Sequence, residues 1–269
     1  MGLDKVRLGP VEVTRLVIGG NPFSGFSHQG PDRDREMIRY YTAARIKEAL
    51  RRMEAAGINT LFARADNHVM RLLTEYWDEG GTLQWIAQTS AEQPDYLRNI
   101  DQAAACGASG CYFHGGQVDY YWRRGETEHF GIALEKIRGL GLAAGFAAHM
   151  PAPHEWIRDH LDPDFQLCCY YDPSPRVEAP DHVSSDAEKF NPADRDRMAR
   201  TIRTLKATAV HYKVLAAGRT DAREAFEYVA GVISPQDVVV IGVFLGDDPD
   251  MIEKDVALFE QIVQPAAGA

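Results

Sequence analysis

The strongest constraint in this chain is an alternation. A short β-rich run is followed by a longer amphipathic run that a glycine halts, and the pattern repeats eight times with little filler. Strands that return each time through a helix must run parallel, because an antiparallel neighbour needs only a hairpin. The strand-like runs lie at 14–20, 59–64, 83–88, 110–114, 142–149, 165–171, 209–215 and 238–243. After the first, Ile46, Ala49, Leu50, Met53 and Ala56 share one helical face before Gly57, and Gly80, Gly107 and Gly141 stop the helices that follow. Helices are also expected at 193–206, 221–232 and 249–264. Eight such units in 269 residues predict a single-domain (β/α)8 TIM barrel over residues 1–269. The rival is an open doubly wound sheet, but the glycine fingerprint expected after its first strand is missing.

Two segments exceed ordinary loop length, 21–41 after the first strand and 173–191 after the sixth. In a barrel both lie at the C-terminal ends of the strands, where long loops form lids or substrate walls. The balance of 29 Lys+Arg against 39 Asp+Glu, a net charge of -10, excludes a general binder of nucleic acid or of anionic membrane surfaces. No run of eighteen apolar residues and no stretch resembling a signal peptide is present, so a cytoplasmic location is expected. Cys106, Cys111, Cys168 and Cys169 contain no CxxC, and the adjacent pair would bridge only under strain, which predicts reduced, mostly buried thiols. No coiled-coil heptad argues for a particular oligomer.

Barrel enzymes collect their chemistry at the strands' C-terminal ends, and here those positions are polar. They carry Asn21 and His28, Arg64 and Asp66, Gln88, His114, His149, Tyr171 and Lys213. Alternation along a strand pairs Tyr112 with His114, Ala147 with His149, Arg64 with Asp66 and His211 with Lys213. His114 and His149 end neighbouring strands, so they are candidates for an acid/base pair. With His28 they form a candidate set of ligands for a divalent ion such as Zn, Mn or Mg. Lys213 is costly to bury against helices and is expected at the wet mouth, as a cation, base or Schiff-base amine. Arg64 suits a substrate carboxylate or phosphate, or equally a scaffold pair with Asp66 or Asp119. Asn21, Gln88 and Tyr171 are candidate substrate contacts. Cys168 and Cys169 are expected in the core, and Trp122-Arg123-Arg124 on a solvated face.

The opening VRLGPVEVTRLVIGGNPFS resembles the entry of the aldo-keto reductases, in which a short hairpin seals the barrel floor before the first strand. The end, DVVVIGVFLGDDPDMIEKDVALFEQIV, is similar to their eighth strand and following helix, and GASGCYFHGG to their fourth strand with its terminal histidine. The resemblance implies the barrel with its floor hairpin. It does not carry the family's Asp, Tyr, Lys, His tetrad, because His114 alone has a clear counterpart. NTLFARADNHVM lacks the Asp and Tyr, and Gln88 stands where the lysine is expected. Gly246-Asp247-Asp248 would repel a 2′-phosphate at the place where the family meets its nicotinamide cofactor.

The expected function is therefore non-redox acid/base chemistry by a divergent aldo-keto-reductase-like barrel. An isomerase, lyase or hydrolase is expected, working with a divalent metal or with the histidines alone as acid and base, and with a small sugar-like or oxo-acid substrate as partner. His114, His149, Lys213 and Asp66 are its candidate catalytic residues. One alternative is an NAD(P)H-dependent reductase with a rearranged tetrad, NADP being the less expected cofactor. Another is a metabolite-binding barrel without catalysis.

Overall fold

The computed structural model describes residues 2–172, 179–180 and 190–266. β1 (Lys5–Leu8) and β2 (Val11–Thr14) form an antiparallel hairpin. The barrel strands are β3 (Leu16–Gly19), β4 (Thr60–Arg64), β5 (Gln84–Gln88), β6 (Gly110–Phe113), β7 (Ala143–Ala148), β8 (Phe165–Cys169), β9 (Thr208–Tyr212) and β10 (Val238–Ile241). They close in sequence order, β10 pairing in parallel with both β9 and β3. The (β/α)8 barrel predicted from the alternation is the observed fold.

The helices are α1 (Pro31–Tyr40), α2 (Ala43–Ala55), α3 (Asn67–Asp78), α4 (Tyr96–Ala105), α5 (Gly115–Arg124), α6 (Glu128–Gly139), α7 (Pro151–His160), α8 (Pro192–Ile202), α9 (Ala222–Ala230) and α10 (Met251–Ala266). Among the described residues none is long and apolar enough to cross a membrane.

Strand alternation divides the apolar residues into two cores. One lies between strands and helices. The other fills the barrel with Val17, Phe62, Ile86, Tyr112, Ala147, Phe165, Leu167, Val210 and Val240. Leu8, Val11 and Val13 of the hairpin join this inner core from below, and Glu12 O accepts hydrogen bonds from Asn59 Nδ2 and Gln84 Nε2 at 3.0 and 2.8 Å. The floor is thereby sealed, as the resemblance implies. Phe165 lies across the interior, and Gly145 makes room for it, since a Cβ there would stand 2.3 Å from its ring. With the middle packed solid, open space is left at the strands' C-terminal mouth.

Three expectations are corrected. Segment 21–41 is not a bare loop: Asn21–Ser24 forms a 3-10 turn and Pro31 opens α1 at its first position, where the missing N–H costs nothing. Residues 115–124 form helix α5, capped by His114, so Gly115 and Gly116 are its first turn and Trp122 packs partly against the core. The seventh strand ends at Tyr212, because Lys213 adopts φ 57°, left-handed backbone that cannot extend a ladder. Of the expected lid at 173–191, residues 173–178 and 181–189 lie outside the described residues.

Candidate functional site

One step above the inner core, the same strand parity presents polar side chains. Phe62 gives way to Arg64, Ile86 to Gln88, Tyr112 to His114, Ala147 to His149 and Val210 to Tyr212. All five polar successors line one cavity at the barrel mouth, with Asn21, Phe26, His28, Gly115 and Lys213. Residues from six strand ends thus meet in a volume of about 40 Å³.

His149 is the most tightly organised of them. It is 7% exposed, and its Nδ1–H donates to Asp119 Oδ2 at 2.6 Å. The same carboxylate accepts from the His149 backbone N–H at 3.2 Å to each oxygen. Asp119 lies on α5 and is 2% exposed. A carboxylate on Nδ1 leaves Nε2 as the basic nitrogen of the neutral ring. Sequence reasoning had Asp119 only as a scaffold partner for Arg64. Its signal was its place on the helix that starts at His114, where it reaches the end of the next strand.

Tyr212 stands edge-on against His149, the ring centroids 6.1 Å apart and the planes inclined at 64°. A Cβ on Gly115 would lie 3.1 Å from His149 Cε1 and 3.3 Å from the Tyr212 hydroxyl, so glycine lets both rings close on the start of α5. Burial pushes the Tyr212 hydroxyl well above its ordinary range, and the neighbouring Cys169 and Asp119 add to it. Burial likewise raises the Cys169 thiol to about 11. Both groups stay protonated at neutral pH. The expected buried, unbridged cysteines are observed: all four are free thiols, Cys106 being partly buried.

His114 caps α5, its Nδ1 accepting the Gly116 N–H at 3.2 Å, and its own N–H donates to Thr89 Oγ1 at 2.9 Å. Arg64 Nε donates to Asp66 Oδ2 at 3.2 Å, and Nη2 donates to Ser90 Oγ at 3.0 Å and Glu92 Oε2 at 2.5 Å. The guanidinium also lies 4.5 Å over the Phe26 ring. Burial alone would raise Glu92, but Arg64 holds it below the ordinary carboxylate range. Arg64 therefore lines the cavity as a braced cation.

Asp66 caps α3 through Val69 N–H at 2.9 Å and pairs with Arg64, outside the cavity lining. This corrects its expected catalytic place, since both oxygens already serve the scaffold. Tyr171 is also corrected: it is 2% exposed, belongs to the core under the helices and packs against Phe190 at 5.3 Å. His211 and Lys213 do not share a face. His211 is fully buried, bonded to Tyr170 Oη at 2.9 Å and near Asp237 Oδ2 at 3.4 Å, whereas the left-handed turn at Lys213 returns that residue to the cavity beside Tyr212.

The expected metal set does not fit. Asp119 takes the Nδ1 of His149, Gly116 takes that of His114, and among the described residues no three of His, Cys, Asp and Glu stand together as ligands.

A second, larger space of about 340 Å³ opens beside the first and shares Asn21, Phe26, His28, Tyr212 and Lys213 with it. This cleft runs between the residues after β9 and the start of α10, along Pro22, Val214, Leu215, Ile241, Phe244 and Met251. Its wall contains Ala217, which with the preceding Ala216 is left-handed, at φ 54° and 49°. Asp247 and Asp255 lie in the lining on the α10 side.

No family model matches the chain, and no curated protein matches it in sequence. Solved structures do. A protein described as an aldo-keto reductase of Pseudomonas aeruginosa aligns over 96% of this chain and 95% of its own, with 15% identity and a TM-score of 0.60. The holo form of an aldo-keto reductase from Bacillus halodurans aligns over 99% and 96%, with 10% identity and a TM-score of 0.61. A variant protein solved in complex with NADPH aligns over 99% and 94%, with 8% identity and a TM-score of 0.56. The resemblance to aldo-keto reductases therefore holds at the level of the fold.

Proposed function

We propose that this barrel is an enzyme that moves a proton next to a carbonyl or hydroxyl carbon of a small, oxygen-rich molecule, as an isomerase or lyase does. The single observation that carries the reading is the 2.6 Å contact between His149 and Asp119, which leaves Nε2 as the basic nitrogen of a histidine that lines a cavity edged by cations. In the forward step Nε2 takes a proton from the carbon beside a carbonyl. The C–H pair moves into a new double bond and the carbonyl pair onto oxygen. Asp119 stabilises the imidazolium that forms, a role carboxylates fill beside catalytic histidines. Arg64 and Lys213 supply positive charge for the oxyanion, and the protonated Tyr212 hydroxyl and a His114 ring N–H supply further donors. With a hydroxyl on the carbon that lost its proton, passage of that hydroxyl proton to the oxyanion and return of the first proton to the former carbonyl carbon complete an isomerisation, the second oxygen becoming the carbonyl. With a β-substituent instead, the carbonyl re-forms and the substituent departs with its bonding pair, completing an elimination.

The test is exchange in D₂O. Small ketoses, aldoses and 2-oxo acids incubated with the protein are followed by proton NMR for deuterium beside the carbonyl. Exchange with the native protein that disappears in His149→Gln supports the reading. Equal exchange in both, or none with any of the compounds, overturns it.

The cleft beside the cavity favours a second reading, carbonyl reduction with a nicotinamide cofactor in that cleft. A solved neighbour of the same fold is described as an NADPH complex. Against the phosphorylated form, the α10 side of this cleft presents Asp247 and Asp255, and Arg33 there already pairs with Glu36 and Asp247. Fluorescence titration with NADH and NADPH separates the readings, and saturable binding coupled to oxidation by a carbonyl compound selects the second.

A further inference from the structure

Among the ionisable side chains of the cleft that the proposed reaction leaves unused, His28, Arg33, Asp247 and Asp255, the last stands apart. Asp255 follows the first turn of α10 and is only 5% exposed, yet it lines the cleft. Among the described residues its side chain makes no hydrogen bond and no ion pair, and its oxygens, which are not fully enclosed, keep contact with the open cleft. The nearby cations are committed elsewhere: Arg33 pairs with Glu36 at 2.6 Å and with Asp247, and Lys254 with Asp248 at 2.7 Å. The rest of that wall is apolar, with Pro22, Ile241, Phe244 and Met251.

We propose that the Asp255 end of the cleft is a binding site for a protonated amine carried on an apolar stem. An ammonium would give this carboxylate the donors it lacks, and the stem would lie along the apolar wall. The usual objection to buried ion pairs is that both charges must leave water. Here folding has already stripped the carboxylate of most of its water, so the incoming cation meets a desolvated partner. Asp248 adds to the negative potential at Asp255, while Asp247 in the same lining is neutralised by Arg33. That field disfavours phosphates and carboxylates. Burial, with Asp248 second, raises Asp255 to about 7, so above neutrality it stands ready as an anion. The assignment goes beyond the acid/base reading and stands without it, because its test reads binding and not turnover.

The experiment is calorimetric titration of the native protein at pH 8 with hexylamine, hexanol and hexanoate, accompanied by thermal melts. Hexylamine is expected to bind saturably and raise Tm, hexanol to bind about tenfold or more weakly for want of a charge-assisted hydrogen bond, and hexanoate not to bind. Asp255→Asn is expected to remove the preference for amine over alcohol, while Asp248→Asn keeps it. Equal binding of amine and alcohol to the native protein overturns the proposal whatever the variants do. So does an amine preference that survives Asp255→Asn, or tighter binding of hexanoate.

Discussion

Asp119 on α5 holds His149 at the end of β7 through both its side chain and its backbone, Oδ2 to Nδ1 at 2.6 Å and both oxygens to the backbone N–H at 3.2 Å. A helix and the strand after it are thereby locked at the point where the proposed base must be aimed. Asp119→Asn keeps the shape but offers an amide where the ring needs an acceptor with full negative charge. Turnover of any substrate found by the exchange assay is expected to fall by about 10²–10⁴, as when an orienting carboxylate is neutralised elsewhere. Tm should move little. A variant within about threefold of native turnover would show that the contact is scaffold alone, on the scale where tenfold is 1.4 kcal/mol.

Gly115→Ala probes the same site from the opposite side. The added methyl would lie 3.1 Å from His149 Cε1 and 3.3 Å from the Tyr212 hydroxyl, closer than relaxed contacts allow. Gly115 carries no positive φ, and alanine suits a helix's first turn, so the backbone has no reason to object. The expected outcome is native or slightly raised Tm with turnover lowered roughly tenfold or more by misplacement of the base. Loss of Tm with unchanged turnover would place the strain in packing and away from the chemistry.

How far the sequence foretold this site follows from what periodicity can and cannot carry. Parity along each strand placed Arg64, Gln88, His114 and His149 at one mouth, because alternation is local and the barrel adds no freedom to it. Parity failed at Lys213, where a left-handed residue turns the chain and puts Tyr212 and Lys213 in one cavity. Nothing in His-Tyr-Lys announces that turn, since glycine is the residue that usually marks it. Asp119 and Asp255 were missed for another reason. Each sits on a helix, and which helical carboxylate turns inward depends on how the helix docks on its strands. Asp66 and Tyr171 were misplaced by the converse error, polar atoms read as free when a helix cap and a packed core had already claimed them.

Ala217 offers a stability test that does not depend on function. It holds φ 54° and ψ 46°, which costs an L-residue about 1–2 kcal/mol and a glycine almost nothing. Glycine gives back part of that gain through the greater freedom of its unfolded chain, about 0.5–1 kcal/mol. Ala217→Gly should therefore be stabilising by roughly 0.5–1 kcal/mol, read as a higher midpoint in urea with an unchanged slope. The Ala217 carbonyl, which accepts from Gln29 Nε2 at 2.7 Å, is retained in the variant. A lowered midpoint would mean that the Ala217 methyl, in the cleft wall, contributes more than the strain removes.

Asp255 sets the direction in which stability changes with pH. Burial, with Asp248 as the lesser cause, raises it from 3.8 to about 7. A carboxyl that is a weaker acid when folded binds its proton more tightly in the native state, so between those two values unfolding releases a proton. Its contribution to stability is thus intact below pH 4, shrinks as pH rises through 4 to 7, and is fully lost above 7. The interval from 3.8 to about 7 corresponds to at most ~4 kcal/mol. Glu54, Glu79, Glu92 and Glu253 are held below their ordinary values, so they act in the opposite sense and lose stability as pH falls. The informative quantity is therefore the difference between native protein and Asp255→Asn, in which those groups cancel. Urea unfolding from pH 4.5 to 8.5 should show the variant gaining on the native protein across the range and levelling off above pH 7. A difference that stays flat with pH would mean that Asp255 ionises as an ordinary surface carboxylate, and the desolvated end of the cleft would then have no charged group to offer a cation.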